Sequence, residues 1–156
     1  MIIISACLAG INCKYNAENN YNENAALLIA KCKAIPICPE QLGGCPTPRL
    51  PCEIFGGTGA DVLNGSARVI NEEGDDMTSK FIKGAAESLK IAKLAGAKKA
   101  VLKDKSPSCG HGLICDGTFS NKLIRGNGVT AELLERNGIK IISESELSEK
   151  LRPEDL

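Results

Sequence analysis

Short apolar runs alternate along this chain with longer segments of helical pattern, and this alternation constrains the fold more than any other feature. Four runs predict strands: Ile2–Ser5, Ala34–Cys38, Ala100–Lys103 and Ile139–Ile142. Four segments predict helices: Glu23–Lys31, Met77–Leu94, Thr130–Arg136 and Glu144–Leu151. Strands that alternate with helices favour a parallel sheet with right-handed crossovers. We therefore predict an α/β fold, an open, mostly parallel, three-layer sheet of the Rossmann or flavodoxin-like kind.

Between the second and third strands the alternation is interrupted, which predicts an excursion from the sheet. The stretch from Pro39 to Pro51 is rich in Pro and Gly and predicts a loop, as does Gly56–Gly59. A small edge strand is predicted at Ala67–Ile70 and a hairpin at Leu113–Phe119. With 156 residues and no repeat or linker in the sequence, residues 1–156 are expected to form a single α/β domain.

Eight cysteines beside a single histidine are the unusual part of the composition. Their share lies below the roughly 8–10% typical of a disulfide scaffold. The segment from Met1 to Cys7 has neither the charged region nor the small-residue cleavage site of a secretory leader, and no apolar run reaches membrane-spanning length. We therefore expect a cytoplasmic protein with no membrane association, whose clustered thiols serve metal or redox chemistry.

The charge balance of the chain indicates whether nucleic acid is an expected partner. Lys+Arg and Asp+Glu number 19 each, so the net charge is zero. The segment Lys80–Lys105 has an excess of positive charge, but acidic segments on either side balance it. Nucleic acid is therefore not the expected partner.

Three of the cysteines follow predicted strands. Cys7 comes just after the first strand, Cys38 ends the second, and Cys109 follows the third. Ligands of open α/β sheets sit at the carboxyl ends of the strands, so these thiols are expected to converge there. The chain has no C-x-x-C motif, and its lone histidine excludes Cys2His2 zinc sites. All-thiolate zinc or an iron–sulfur cluster remain as the metal options.

Acid–base groups adjoin these cysteines. Glu40 stands two residues after Cys38, and Ser106 and Ser108 precede Cys109. A carboxylate and a hydroxyl beside an electrophilic metal suit proton transfer or the activation of water. Iron–sulfur clusters normally take four ligands, so three cysteines would leave one iron open to an exogenous ligand.

The cysteine loops and several later motifs resemble the family labelled domain of unknown function 523, whose characterised members are thiouracil desulfidases. The resemblance covers nearly the whole chain. The matching motifs are Ser5-Ala6-Cys7-Leu8, Cys38-Pro39-Glu40, Gly43-Gly44, Pro46-Thr47-Pro48-Arg49, Lys103, Ser106-Pro107-Ser108-Cys109-Gly110, Asp116-Gly117-Thr118-Phe119, Gly128-Val129-Thr130 and Ser143-Glu144. These motifs are long and occur in order, which makes the resemblance to the family specific.

The resemblance implies a [4Fe-4S] cluster on Cys7, Cys38 and Cys109, with one iron not ligated by protein. A sample prepared in air can lack this cluster. The open iron would take the sulfur of a small thiolated heterocycle and release it as hydrosulfide, with hydrolysis of C=S to C=O and no change of redox state. Glu40 would move protons or activate water, assisted by Ser106 or Ser108.

Substrate contacts are less constrained by the resemblance. Arg49, Lys103 and His111 are the candidate substrate-binding residues, and Arg49 is equally suited to holding loops together.

The remaining cysteines leave alternatives open. Cys13 or Cys45 as a fourth ligand would close the cluster and abolish desulfidation, although we favour both as bystander thiols. Another alternative is a non-catalytic zinc module on Cys7, Cys38, Cys45 and Cys109. A thiol redox sensor is a further one. Cys32 is predicted to pack at a helix end and Cys115 in a hairpin, and Cys52 has no predicted role.

Overall fold

The structure, a computed structural model, describes residues 1–149, in which strands and helices alternate around a parallel sheet. The strands are β1 (Ile2–Ser5), β2 (Ala34–Ile37), β3 (Cys52–Phe55), β4 (Arg68–Asn71), β5 (Lys99–Leu102), β6 (Leu113–Cys115), β7 (Leu123–Arg125) and β8 (Lys140–Ser143). The helices are α1 (Glu23–Ala30), α2 (Pro39–Leu42), α3 (Gly59–Asn64), α4 (Thr78–Leu94), α5 (Val129–Arg136) and α6 (Glu144–Glu149). A single 3-10 turn, Ala6–Ala9, follows β1. The predicted end of the last helix, at Leu151, lies outside the described residues.

The central sheet has the strand order β2-β1-β5-β8, and every neighbouring pair is parallel. Strand β1 lies inside the sheet, and Ile2, Ile3 and Ile4 are all buried, as expected of a strand covered on both faces. Strand β2 is at the edge, where Pro36 is tolerated because edge strands need fewer backbone donors. The predicted α/β fold with a mostly parallel sheet is confirmed.

Helices cover both faces of this sheet and make it the middle of three layers. On one face Ile4 packs in a buried cluster with Leu28 of α1. On the other face Ile3 packs with Ala92 of α4 and Leu134 of α5. The β-branched and aliphatic residues of β1 therefore bind the two helical layers together through the sheet. No helix within residues 1–149 combines the length and the apolar character needed to cross a membrane.

The segment after β2 is more regular than its Pro and Gly content predicts. Helix α2 begins at Pro39, which suits the first helical position because its missing N–H would have no partner there. The loop predicted from Pro39 to Pro51 is therefore wrong over its first four residues. Helix α3 begins at Gly59, where a loop was predicted to end, and Thr58 and Asp61 form a capping box at its start.

Two antiparallel hairpins project from the central sheet. Strand β3 pairs with β4, and β4 overlaps the predicted edge strand Ala67–Ile70. Strand β6 pairs with β7. The second hairpin is longer than the predicted Leu113–Phe119, since its return strand is Leu123–Arg125. Ile54 of β3 and Val69 of β4 pack on Phe81 of α4 in a separate buried cluster. This small core fixes the excursion against the start of α4.

Two glycines bring α2 against α4. A Cβ on Gly84 would overlap the carbonyl oxygen of Pro39, and one on Gly43 would overlap the carbonyl oxygen of Lys80. Neither position can therefore carry a side chain unless α2 moves away from α4. Since Cys38 and Glu40 lie at the start of α2, this close approach fixes where their side chains lie.

We expect Gly84→Ala to lower the free energy of unfolding by about 2 kcal/mol, because the added methyl group meets backbone. The better helix propensity of alanine, worth about 1 kcal/mol, offsets only part of this cost. Urea denaturation of the apoprotein measures the effect. Lys83→Ala, at an exposed neighbouring position of α4, is the control and should change little. A Gly84→Ala variant as stable as wild type would contradict the close approach.

Candidate active site

A cavity of about 320 Å³ lies at the carboxyl ends of β1, β2 and β5. Residues that follow these strands form much of its wall, among them Cys7, Cys38 and Cys109. Glu40 and Ser106 line the same cavity. Parallel strands end at one edge of a sheet, so loops far apart in sequence meet there. The fold thus brings three thiols, a carboxylate and a hydroxyl into one cavity.

A different local device positions each of the three thiols. Cys7 lies in the 3-10 turn after β1, which Gly10 ends in the left-handed region at φ 89°. Cys38 is the N-cap residue of α2. Cys109 lies in a tight turn after β5, and its backbone N–H donates to the Oγ of Ser106 at 3.0 Å.

A fourth thiol, that of Cys13, lies beside two of the three. Its hydrogen bonds with Cys7 and Cys38 lower the pKa of each of those thiols to about 7, although burial opposes this. The same hydrogen bonds, together with burial, raise the pKa of Cys13 itself. Burial raises the pKa of Cys109, partly offset by a hydrogen bond with Ser5. Cys7 and Cys38 therefore have substantial thiolate character at neutral pH, the form that binds metals.

Glu40 is held in place by Arg49. The guanidinium Nε donates to Oε2 of Glu40 at 2.6 Å, and the side chains of Arg49 and Glu40 are only 7% and 16% exposed, respectively. Arg49 also donates to the carbonyl oxygens of Cys13 (2.9 Å) and Pro46 (3.1 Å) and to Oγ1 of Thr47 (3.1 Å). Burial works to lower the pKa of Arg49, but the Glu40 carboxylate more than offsets this and raises it. Of the two interpretations of Arg49, the geometry favours holding the loops together.

The two candidate serines have different surroundings. Ser106 lines the cavity, and its Oγ accepts hydrogen bonds from the backbone N–H groups of Ser108 (3.1 Å) and Cys109 (3.0 Å). Ser108 is 1% exposed and lies outside the cavity lining, with its Oγ 2.8 Å from Oγ1 of Thr130 in α5. The prediction of Ser108 as an assisting residue is therefore not supported by its position, whereas Ser106 remains a candidate.

The two remaining substrate-contact candidates, Lys103 and His111, also have different surroundings. Lys103 lines the cavity, and its Nζ lies 2.6 Å from Oε2 of Glu144. His111 lies outside the cavity lining, and its Nε2 is 3.2 Å from Oε1 of Glu135. His111 follows Cys109 by two residues in sequence, but its side chain contacts Glu135 of α5 and does not line the cavity. Of these two, Lys103 is the candidate substrate contact that lines the cavity.

Cys45 does not line the cavity. It is buried with Ile54 and Phe81 in the cluster beneath the paired strands β3 and β4. The fold therefore does not bring Cys45 into the cavity wall that Cys7, Cys38 and Cys109 share. The alternative zinc module would need Cys45 as its fourth thiolate.

Three cavity residues had no predicted role in the site. Cys52 of β3 and Cys115 of β6 line the cavity, and burial raises the pKa of Cys52 to about 12. Glu53 also lines it and is 8% exposed, and its Oε1 accepts from the backbone N–H groups of Gly117 (3.1 Å) and Phe119 (3.2 Å). The sequence offered one signal for Glu53, because it is a carboxylate inside an otherwise apolar strand. The sequence offered no signal for Cys52 and Cys115, because their positions in the cavity depend on how the hairpins pack.

We expect Arg49→Lys to lower the free energy of unfolding by about 2 kcal/mol, because a lysine ammonium cannot keep the four hydrogen bonds of the guanidinium. Thermal denaturation of the apoprotein measures this. The matched control is Arg136→Lys, whose side chain is 40% exposed and pairs with Glu132 at the surface, and it should change stability very little. Equal losses in the two variants would argue against Arg49 as the residue that holds the loops.

The fold and the cavity first define a class, an α/β protein with thiols, a carboxylate and a hydroxyl gathered where such folds place their active sites. Comparison with known proteins then gives the family. A family model described as 2-thiouracil desulfurase matches residues 2–146, and the chain belongs to this family. The resemblance seen in its motifs is thereby confirmed.

Two relatives show how closely the chain follows its family. It is 50% identical over 151 residues to a Bacillus subtilis (strain 168) protein named uncharacterized protein YbbK, covering 97% of this chain and 100% of that one. A solved structure named [4Fe-4S]-dependent thiouracil desulfidase TudS superposes with a TM-score of 0.82 at 38% identity, over 95% of this chain and 93% of that one. These relationships support an enzyme with desulfidase activity.

Proposed function

We propose that this protein is a [4Fe-4S]-dependent desulfidase that hydrolyses the C=S group of a small thiolated pyrimidine-type compound and releases hydrosulfide. The observation that carries the proposal is that Cys7, Cys38 and Cys109 line one cavity with Glu40 and Ser106. Membership of the 2-thiouracil desulfurase family and the likeness to TudS support it.

The three thiols that line the cavity are the donor type that holds an iron–sulfur cluster. Within residues 1–149 no three histidine, cysteine or acidic side chains are grouped so that they could hold one metal ion. A cluster offers several iron atoms and takes its thiolates around its periphery, which suits thiols spread over a cavity wall. Cys7, Cys38 and Cys109 would hold it. When bound, such a cluster supplies an iron that is not ligated by protein and acts as a Lewis acid toward the sulfur of the substrate.

The net reaction exchanges one sulfur for one oxygen. The carbon–sulfur bond breaks, a carbon–oxygen bond forms with the oxygen of water, and sulfur leaves as hydrosulfide. Of the two protons of water, one leaves with the sulfur and the other passes to solvent. No electrons are gained or lost, so the reaction needs no reductant or oxidant.

We propose Glu40 as the group that takes a proton from water. Arg49 holds its Oε2, and among the described residues Oε1 accepts no hydrogen bond. The free oxygen of an oriented carboxylate can accept a proton from a water molecule that attacks the carbon bearing sulfur. We assign Glu40 this role of general base.

Ser106 and Lys103 can contribute hydrogen-bond donors. The Oγ of Ser106 already accepts two backbone hydrogen bonds, so its hydroxyl hydrogen is the part left to bind water or substrate. The Lys103 ammonium contacts Oε2 of Glu144 and the carbonyl oxygen of Asp104 (3.4 Å), and its third hydrogen is available to a carbonyl oxygen of the substrate. These donors would orient the heterocycle.

The test is anaerobic reconstitution followed by a screen of thiolated pyrimidines. We expect about four irons per chain, and hydrosulfide released in equal amount to the oxo product. The screen includes free bases, nucleosides and nucleotides with sulfur at either carbonyl position of the ring. A protein that holds the cluster but releases no hydrosulfide from any of them would contradict the proposal.

A further inference from the structure

Tyr15 is an aromatic side chain in the cavity wall that the proposed reaction does not use. The chain has two tyrosines and no tryptophan, and within the described residues Tyr15 is the only aromatic residue that lines the cavity. It is 42% exposed, so part of its surface is open to a molecule that enters. The other tyrosine, Tyr21, is 64% exposed and lies outside the cavity lining.

The backbone that carries Tyr15 is held by the residue that also holds the proposed base. The carbonyl oxygen of Tyr15 accepts a hydrogen bond from the backbone N–H of Arg49 at 2.8 Å. The guanidinium of the same arginine donates to the carbonyl oxygen of Cys13 at 2.9 Å and to Oε2 of Glu40 at 2.6 Å. The loop of Tyr15 and the Glu40 carboxylate therefore share one anchor. A loop that is ordered before substrate arrives lowers the entropic cost of binding.

One face of the Tyr15 ring meets a cation. The Nζ of Lys14 lies over the ring, 5.6 Å from its centroid, and Lys14 lines the cavity as well. A ring has two faces, and the face that the ammonium does not cover can stack on a flat ligand.

We propose that the Tyr15 ring stacks on the face of the substrate heterocycle and that the cavity thereby selects planar thiolated rings over puckered or open-chain thioamides. The inference rests on the proposed function, since it takes this cavity as the place where the substrate binds. The donors of Ser106 and Lys103 fix points on the edge of a ring, whereas an aromatic side chain binds its face. Tyr15 is therefore a specificity-determining residue in this site.

The test uses two competitors that share their hydrogen-bonding groups and differ in shape. Uracil, the oxo product expected from 2-thiouracil, is planar, whereas 5,6-dihydrouracil has the same N–H and C=O groups on a puckered ring. Calorimetry measures the affinity of each for the anaerobically reconstituted wild-type protein. We expect uracil to bind about tenfold more tightly, because only a planar ring stacks over its whole face. A wild-type protein that shows no preference for uracil would overturn the proposal.

Variants of Tyr15 then assign this preference to its ring. Tyr15→Leu is expected to bind uracil about tenfold more weakly than wild type and to lose the preference over dihydrouracil. Tyr15→Phe keeps the ring and should bind uracil as wild type does. The matched control is Tyr21→Leu, which removes a tyrosine outside the cavity lining and should leave both affinities unchanged.

Two results with these variants would contradict stacking by Tyr15. Equal affinity for uracil in wild type and Tyr15→Leu would show that the ring does not bind the heterocycle. A loss in Tyr15→Phe as large as that in Tyr15→Leu would assign the effect to the hydroxyl group instead. The comparison of the two competitors on the wild-type protein needs no variant, so it tests the proposal even if Tyr15→Leu does not fold.

Hydrosulfide release, measured on the same proteins, distinguishes this inference from the proposed function. An active wild-type protein without a preference for uracil would overturn the role of Tyr15 alone. A preference that disappears in Tyr15→Leu, in proteins that release no hydrosulfide from any thiolated pyrimidine, would support the role of Tyr15 and contradict the desulfidase. A wild-type protein that binds neither competitor and releases no hydrosulfide would overturn both.

Discussion

Replacing Glu40 by glutamine is expected to lower the rate of hydrosulfide release by about 10²- to 10⁴-fold while leaving the iron content unchanged. Glutamine has nearly the same shape and still accepts a hydrogen bond from Arg49, but it cannot take a proton from water. Because Glu40 is not a proposed ligand, the loss should appear in kcat far more than in KM. Steady-state assays on the reconstituted enzyme, with iron determined on the same samples, measure this.

The matched control is Glu53→Gln. Glu53 lines the same cavity, but its carboxylate accepts hydrogen bonds from Gly117 and Phe119, which a glutamine oxygen can also accept. We expect this variant to retain activity within a few-fold of wild type, because Glu53 supports a loop and has no proposed part in proton transfer. Similar losses in the two variants would mean that the cavity needs negative charge in general and that Glu40 is not its base.

The second large effect is expected for Cys109→Ser, which should take up far less than the roughly four irons of the wild-type protein and lose hydrosulfide release altogether. Cys109 is the buried proposed ligand on the side of the cavity formed after β5, and Cys7 and Cys38 would remain as a pair. A serine hydroxyl is not ionised at neutral pH and is a poor ligand for iron in a cluster. Iron and acid-labile sulfide determinations after anaerobic reconstitution measure this loss.

Cys45→Ala is the control for Cys109→Ser. Cys45 is also buried, but it packs beneath the hairpin and away from the cavity lining. We expect its iron content and activity to match wild type, with a modest loss of stability from the missing sulfur. Metal loss in Cys45→Ala would revive the four-thiolate zinc module, and full activity in Cys109→Ser would exclude Cys109 as a ligand.

The central sheet could be predicted from sequence because its signals are local. The β-branched run Ile2–Ser5 forms β1 with the predicted bounds, and the predicted third and fourth strands are each displaced by one residue. A parallel topology then followed from the order of strands and helices. That topology, more than any single motif, predicted that Cys7, Cys38 and Cys109 would face one cavity, as they do in the structure.

The excursion between β2 and α4 was harder to predict from the sequence, because its helices and strands are too short to show a hydrophobic period. Helix α2 has four residues, and only Pro39 at its first position hints at it. Strand β3 is as short, and the apolar partners that stabilise it, such as Phe81, are distant in sequence. The roles of Cys52 and Cys115 as cavity residues depend on this packing, so no local pattern could reveal them.

Finer choices within the site depended on side-chain partners. Ser106 and Ser108 are separated by one residue, yet one faces the cavity and the other meets Thr130 of α5. Arg49 was equally compatible with substrate binding until its hydrogen bonds with Glu40 and the neighbouring carbonyl groups were known. Sequence motifs indicate which residue types are present, whereas these assignments depend on the direction of each side chain.

The strand order β2-β1-β5-β8 also bears on how the protein is made. Cys7 and Cys38 follow the first two strands to leave the ribosome, but Cys109 follows β5, which adds to the other side of β1. Because synthesis runs from the N-terminus, the nascent chain carries Cys7, Cys13 and Cys38 well before Cys109 is translated. All three thiols that would hold the proposed cluster are therefore present together only after Cys109 has been translated.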